Sequence, residues 1–376
     1  MMGTIMLQVI GSRHRFLWGW LGAFALILFL VVSGCVISPR RLPGDVVPGT
    51  TPTPTPSPSA TPTPTPGATP AQGKLYVSNG GGNSIIRYDQ ALTDSGNVPP
   101  ATTITGINTK LNSPAYITLD VTADRLFVAN TGDLSILVFD NISTKTGNAA
   151  PERVIAGATT TLVAPTDVSL DAGRNLLYVA DDTSVLVFGS ASTATGNIAP
   201  TRSYSVAFAI AAIFVDAAND RLFLADQAGQ AINVYDAIST VAAGPLTANR
   251  TVQGANTHLG TPSGIAIDGG GRLVVTNATA RSITIFNGAA TVNGNATPAA
   301  EIVGTNTGFT TPDQIVVDTT GTGTAYNADP GAARVAIYSN LSSTTGNVAP
   351  ARAITGPGTG LSVTGQPVGI ALDRTR

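Results

Sequence analysis

Pro262-Ser263-Gly264-Ile265-Ala266-Ile267-Asp268 is followed by Arg272-Leu273-Val274-Val275-Thr276-Asn277 and then by Ser282-Ile283-Thr284-Ile285-Phe286. These short runs are rich in β-branched residues and bounded by Gly, Asn, Asp and Pro, which reads as consecutive strands. A fixed period is the first thing to test for in such a sequence, and this unit recurs. Asp120, Asp171, Asp216, Asp268, Asp318 and Asp373 close first-type strands at intervals of 45 to 55 residues. The second-type strands end at Asn79, Asn130, Asp181, Asp226, Asn277 and Asn327. Third-type strands include Ile86-Arg87-Tyr88-Asp89 and Leu137-Val138-Phe139-Asp140, and a fourth type is exemplified by Val154-Ile155-Ala156-Gly157. No window carries a helical period long enough to compete.

Four short strands per unit and six units predict an all-β fold, a six-bladed β-propeller of four-stranded blades over residues 73–376. Radial closure leaves only short protected edges. The repeat opens at Lys74 with a second-type strand and stops after Pro367-Val368-Gly369-Ile370-Ala371-Leu372-Asp373, a first-type strand. The C-terminal strand is therefore expected to join the N-terminal blade and close the ring.

The Pro-x-Gly-Ile-Ala-x-Asp, Leu-(Tyr/Phe)-Val-Ala-(Asn/Asp) and Ile-x-Val-(Phe/Tyr)-Asp strands resemble NHL-type repeats of six-bladed propellers. The resemblance covers residues 73–376 and implies a fold more than a function, because propellers host many unrelated activities. One departure is local. Between Tyr204 and Asp216 the Gly-x-x-Thr-x-Leu-x-x-Pro connector found elsewhere is missing, so that side of the face should be lower.

Before the repeats, Arg13, His14 and Arg15 precede an apolar run from Phe16 to Val32, ending in Ser33-Gly34-Cys35. A basic segment, an apolar segment and small residues before a cut site describe an export signal over residues 1–34. It resembles a bacterial lipoprotein signal, which implies lipidation of Cys35 as the new N-terminus, a membrane attachment, and, with Val36 rather than Asp next, the outer membrane or cell surface. The alternative is a plain membrane anchor with a chance Cys. Residues 35–72 then form a lipid-anchored linker in which Thr-Pro alternation favours extended polyproline II. Cleavage would remove every Met and Trp, leave His258 as the single His and Cys35 as the single Cys, and shift the net charge from −2 to −4 through loss of Arg13 and Arg15. A mildly acidic chain with dispersed Lys and Arg has no electrostatic footprint for nucleic acid.

A second signature, Thr-Gly-Asn-x-Ala-Pro-x-Arg, occurs at 146–153, 195–202 and 345–352. It reads as a turn between third and fourth strands on the perimeter, with a partner-binding rim as the alternative. Its terminal Arg153, Arg202, Arg250 and Arg352 read as edge-strand solubility residues. The candidate ligand- or metal-binding face comprises Asn79, Asn130, Asp181, Asp226, Asn277 and Asn327, joined by Asp167 and Asp313 from the loops entering first strands. Oxygen ligands in a ring suit Ca²⁺; the alternative is that they cap turns. Gluconolactonase-like and paraoxonase-like propellers use a Glu with Asn and Asp at a channel Ca²⁺, but Glu152 and Glu301 both fall near outermost strands. The amidating-lyase branch needs several His on zinc, and only His258 is at hand. The Tyr residues read as inter-blade core.

The reading is a cell-envelope lipoprotein presenting the propeller as a protein- or ligand-binding platform without catalysis, without a required cofactor, and monomeric. An envelope or extracellular protein is the expected partner. The alternative is a Ca-dependent lactonase- or hydrolase-like propeller using the Asn/Asp ring.

Overall fold

Strands that are apolar along their whole length must be covered on both faces, and here neighbouring blades supply the cover. The computed structural model describes residues 72–320 and 323–376; the signal, Cys35 and nearly all of the linker lie outside the described residues. Blade 1 holds β1 (Lys74–Asn79), β2 (Ser84–Tyr88) and β3 (Thr102–Thr105). Blade 2 holds β4 (Pro114–Asp120), β5 (Arg125–Asn130), β6 (Ser135–Asp140) and β7 (Arg153–Ile155). Blade 3 holds β8 (Pro165–Asp171), β9 (Leu176–Asp181), β10 (Ser184–Gly189) and β11 (Arg202–Ser205). Blade 4 holds β12 (Ile210–Asp216), β13 (Arg221–Asp226), β14 (Ala231–Asp236) and β16 (Arg250–Val252), with the two-residue β15 (Gly244–Pro245) between the last two. Blade 5 holds β17 (Pro262–Ile267), β18 (Leu273–Asn277), β19 (Ser282–Phe286) and β20 (Ala300–Val303). Blade 6 holds β21 (Ile315–Asp318), β22 (Thr324–Asp329), β23 (Arg334–Ser339) and β24 (Arg352–Thr355). The last strand, β25 (Pro367–Asp373), pairs antiparallel with β1, Leu75 opposite Leu372 and Val77 opposite Ile370. The ring is closed as the sequence pattern predicts.

Alternation along a strand sends successive side chains to opposite neighbours. On β1, Leu75 and Val77 pack with Tyr326 and Ile337 of blade 6, while Tyr76 packs with Leu126 and Val128 of blade 2. Six apolar clusters of this kind fill the six inter-blade interfaces. All eight tyrosines belong to them: Tyr88 donates to Thr359 O at 2.6 Å and Tyr326 to Ala91 O at 3.2 Å, each across a blade boundary.

The Thr-Gly-Asn signature is a staple between blades. Its chain leaves the third strand of its own blade and then runs along the outer strand of the preceding one. Gly96, Gly147, Gly196, Gly294 and Gly346 form parallel bridges to Ile354, Ile104, Ile155, Val252 and Ile302. The Asn that follows reaches the connector beyond that strand: Asn197 Oδ1 accepts from Thr159 N at 2.7 Å, Asn148 from Asn108 N at 2.8 Å, and Asn347 from Asn306 N at 2.7 Å. The connector supplies the matching Gly. Gly157 has φ +117, and a Cβ there would stand 2.6 Å from Asn197 Oδ1. Blade 4 has Gly244-Pro245 in place of Gly-Asn, paired with Tyr204 and Ser205 of β11, and the connector before it lacks the Gly-x-x-Thr half. Both halves of the staple are missing together.

The terminal arginines correct the solubility reading. Arg153 donates to Ser192 O, Arg202 to Ser239 O at 2.6 Å, Arg250 to Ala290 O and Arg352 to Asp94 O at 2.8 Å, each in the next blade. Arg87, one strand further in, does this for blade 1 through Ser143 O at 2.6 Å. Edge arginines here tie blades together.

Candidate functional site: the channel mouth

The inner strands β25, β4, β8, β12, β17 and β21 each contact the next around the ring. Of the Asn and Asp residues predicted to face this channel, those at the ends of second strands are instead bonded to nearby loops, whereas Asp167 and Asp313 stand at the channel. Asn130 Oδ1 accepts from Asn112 N at 2.7 Å, Asp181 from Val163 N and Ala164 N at 3.0 and 2.6 Å, and Asn277 from Gly260 N at 3.1 Å. Asn79 donates to Gly360 O at 3.3 Å. Each fastens the connector that precedes the first strand of its own blade. Asp226 has no such connector to fasten and accepts from Gly229 N in its own turn at 2.7 Å.

Asn327 is not the sixth member of this set. Its place is taken by Asp329, which ends β22, accepts from Thr311 N at 2.8 Å and pairs with Arg334 at 3.0 Å. Asn327 stands two residues earlier, where the other blades carry Val or Leu, and donates to the backbone oxygens of Asp313 and Gln314 at 3.0 and 3.2 Å. Aligning Tyr326 with Tyr76 and Tyr178 would have given this register from sequence. Among the described residues, no three His, Cys, Asp or Glu side chains come together as a metal site. His258 is half exposed and lies 2.9 Å from Glu301 on the perimeter.

Side chains two residues past the proline position of the inner strands meet at the centre. Three are large and polar (Tyr116, Asp167, Gln314), and the other three are Ala212, Gly264 and Gly369. The small ones are needed: a Cβ on Gly264 would stand 2.7 Å from Asp313 O, and one on Gly369 2.6 Å from Ala115 O. Gln314 Oε1 accepts from Ile370 N at 2.7 Å, and its amide donates to Ile117 O at 3.3 Å. Asp167 Oδ2 accepts from Ile213 N at 2.8 Å, and Ser169 Oγ accepts from Val215 N at 3.0 Å. These two bonds sew blade 3 to blade 4, the pair that lacks the outer staple. Tyr116 donates to Ser263 O at 2.8 Å and also meets Asp313 Oδ1. Tyr116 belongs to the apolar cluster between blades 4 and 5, as read for the tyrosines, and reaches it from blade 2 across the centre of the ring. Sequence reasoning missed both Tyr116 and Gln314, because only the closed ring shows that these positions face one another.

Burial pushes both Asp167 and Asp313 well above the usual carboxylate range; backbone N–H bonds oppose this at Asp167, and the nearby Asp329 adds to it at Asp313. Above this plug lies a cavity of about 500 Å³ lined by Ala115, Tyr116, Thr166, Ile210, Ala211 and Asp313, among others. Ala209, Gln227 and Ala228 continue its wall on the blade 4 side, next to the short connector.

No protein-family profile matches the chain, and no curated protein sequence matches it. Among solved structures, a chain of a nidogen/laminin complex aligns over 80% of this chain and 98% of its own length, with a TM-score of 0.52 at 15% identity. A functionally unknown protein from Desulfotomaculum acetoxidans DSM 771 covers 74% of this chain and 78% of its own, with a TM-score of 0.47 at 14% identity. The likeness to the nidogen/laminin chain, at such identity, speaks for fold alone, and the fold it supports is the six-bladed β-propeller.

Proposed function

We propose that this chain is an exported lipoprotein, lipidated on Cys35, that holds an NHL-like propeller off the outer membrane or cell surface on its Thr/Pro linker. There it serves as a non-catalytic binding platform for an envelope or extracellular protein or a smaller ligand. The observation that carries the platform reading is the cavity at the channel mouth, walled largely by alanines. Concave, mostly apolar surfaces with a few polar groups are where ligands bind. The Ca-dependent hydrolase alternative draws on a ring in which the side-chain oxygens of Asn130, Asp181 and Asn277 already accept connector N–H groups, which weighs against it.

Two substitutions test the two halves. Cys35→Ser should move the protein from the membrane fraction to the soluble exported fraction; retention at the membrane would sink the lipid anchor. Gln227→Arg with Ala228→Arg should block capture of cross-linked envelope partners by filling the cavity from its wall. Undiminished capture would move the working surface elsewhere.

A further inference from the structure

Among the described residues every buried carboxylate is compensated, whereas Asp313, half-buried at the channel mouth, is not. Asp171, Asp268, Asp318, Asp329 and Asp373 each have an arginine within 3.0 Å. Asp181 and Asp167 each take two backbone N–H groups. Asp313 has neither. Among the described residues its carboxyl meets only the Tyr116 hydroxyl, through Oδ1, and no hydrogen bond reaches Oδ2. The titratable groups that bear on it are Tyr116 from β4 and Asp329 from β22, neither of them cationic. This uncompensated carboxyl lines a cavity otherwise dominated by Ala115, Ile210, Ala211 and Val368.

We propose that the channel mouth is a binding site for a small organic ammonium ion with a compact apolar body. The ammonium would donate to Asp313 Oδ2 and the body would lie against Ala115, Ile210, Ala211 and Val368. This deepens the platform reading and rests on the same face. A single carboxyl among alanines does not suit Ca²⁺, which takes six to eight oxygen ligands, and a carboxyl rejects anions. An apolar cavity that also supplies one charge suits an amphipathic cation. The proton balance is explicit: the neutral carboxylic acid of the empty site gives its proton to solvent, and the resulting carboxylate pairs with the ammonium, which stays protonated. Over the pH range in which Asp313 is protonated in the free protein, binding therefore releases a proton and affinity rises with pH, by up to about tenfold per unit, levelling off once Asp313 is ionised.

The test titrates the full-length protein, in detergent, with isobutylammonium, isobutanol and isobutyrate in buffers of different ionisation enthalpy. Isobutylammonium should bind with proton release while isobutanol and isobutyrate do not. Asp313→Asn should weaken it at least tenfold. Ala211→Leu, which fills the cavity and leaves Asp313 in place, should weaken it similarly and guards against misfolding of the first variant. Equal binding of isobutanol overturns the ammonium site while leaving the cavity a binding face. Binding of none of the three at 100-fold excess overturns the ammonium site, and partner capture by the Gln227→Arg, Ala228→Arg variant then judges the platform separately. Ca²⁺ binding that is lost in Asp313→Asn overturns it in favour of a metal.

Discussion

A tyrosine hydroxyl has one proton, and Tyr116 stands within reach of two acceptors, Ser263 O and Asp313 Oδ1. Both contacts are hydrogen bonds only when Asp313 keeps its own proton and donates it to the hydroxyl oxygen. Burial favours the same neutral form. The consequence for stability has a definite sign. In the unfolded chain an Asp ionises near pH 3.9, whereas folded Asp313 holds its proton to higher pH. Between those two values the native state binds more protons, so stability falls as pH rises, by ~1.4 kcal/mol per unit. Asn at this position supplies a donor that never titrates. Asp313→Asn should therefore be more stable than the parent at pH 7, with the advantage vanishing below about pH 4. A variant less stable at every pH would mean that Asp313 is an ionised partner of something else. Thermal melts followed by circular dichroism across pH 3 to 8 decide it.

The staple shows what an element-scale motif can and cannot say in advance. Thr-Gly-Asn-x-Ala-Pro was legible as a turn, and Gly-x-x-Thr as a connector, but nothing along the chain says that one grips the other. They are about 40 residues apart, in successive blades, and only closure of the ring brings Asn197 over Gly157. The candidate site was legible to a similar extent. Asp167 and Asp313 do stand at the channel, whereas the Asn/Asp series was identified by residue type, and residue type does not distinguish a metal ligand from a loop fastener. Asn327-Ala328-Asp329 offered two registers, and the polar residue nearer the expected place was the wrong one. The staple makes a double-mutant prediction. Asn197→Ala removes one hydrogen bond near the surface and should cost ~1 kcal/mol. Gly157→Ala sets a methyl against Asn197 at φ +117 and should cost ~2–3 kcal/mol. Because the clash is with Asn197 itself, the double variant should cost clearly less than the two single costs added. Additive costs in urea denaturation would show that the two groups do not interact.

On the scale of the molecule, six repeats in one chain can close only if an end strand crosses the join, and β25 does so against β1. The offset between the first and last strand types made this closure readable from sequence. What was not readable is how the last three residues reinforce it. Arg374 pairs with Asp318 of blade 6 at 3.0 Å, while Arg376 pairs with Asp373 and donates to Val121 O of blade 2 at 2.8 Å. The short tail thus bridges three blades. Asp318 and Asp373 are nearly or fully buried, so removing residues 374–376 strands two carboxylates, and breaking buried pairs costs ~3–5 kcal/mol. Burial pushes Asp373 up, but hydrogen bonds from Thr375 and Arg376 outweigh it and hold the carboxyl below its ordinary range. That contribution is present above the unfolded-state value and is lost as pH falls through the folded one. The deletion should therefore lower the melting temperature strongly at pH 7, and the deficit should shrink as pH falls below about 4. Deleting 366–376 differs in kind: it also removes Ile370 and Leu372 from the blade 6 to blade 1 interface and uncovers the edge of β1. Its deficit should be larger and should persist at low pH, because apolar contacts do not titrate. If both deletions track pH alike, the tail's arginines and not the strand would be what closes the ring.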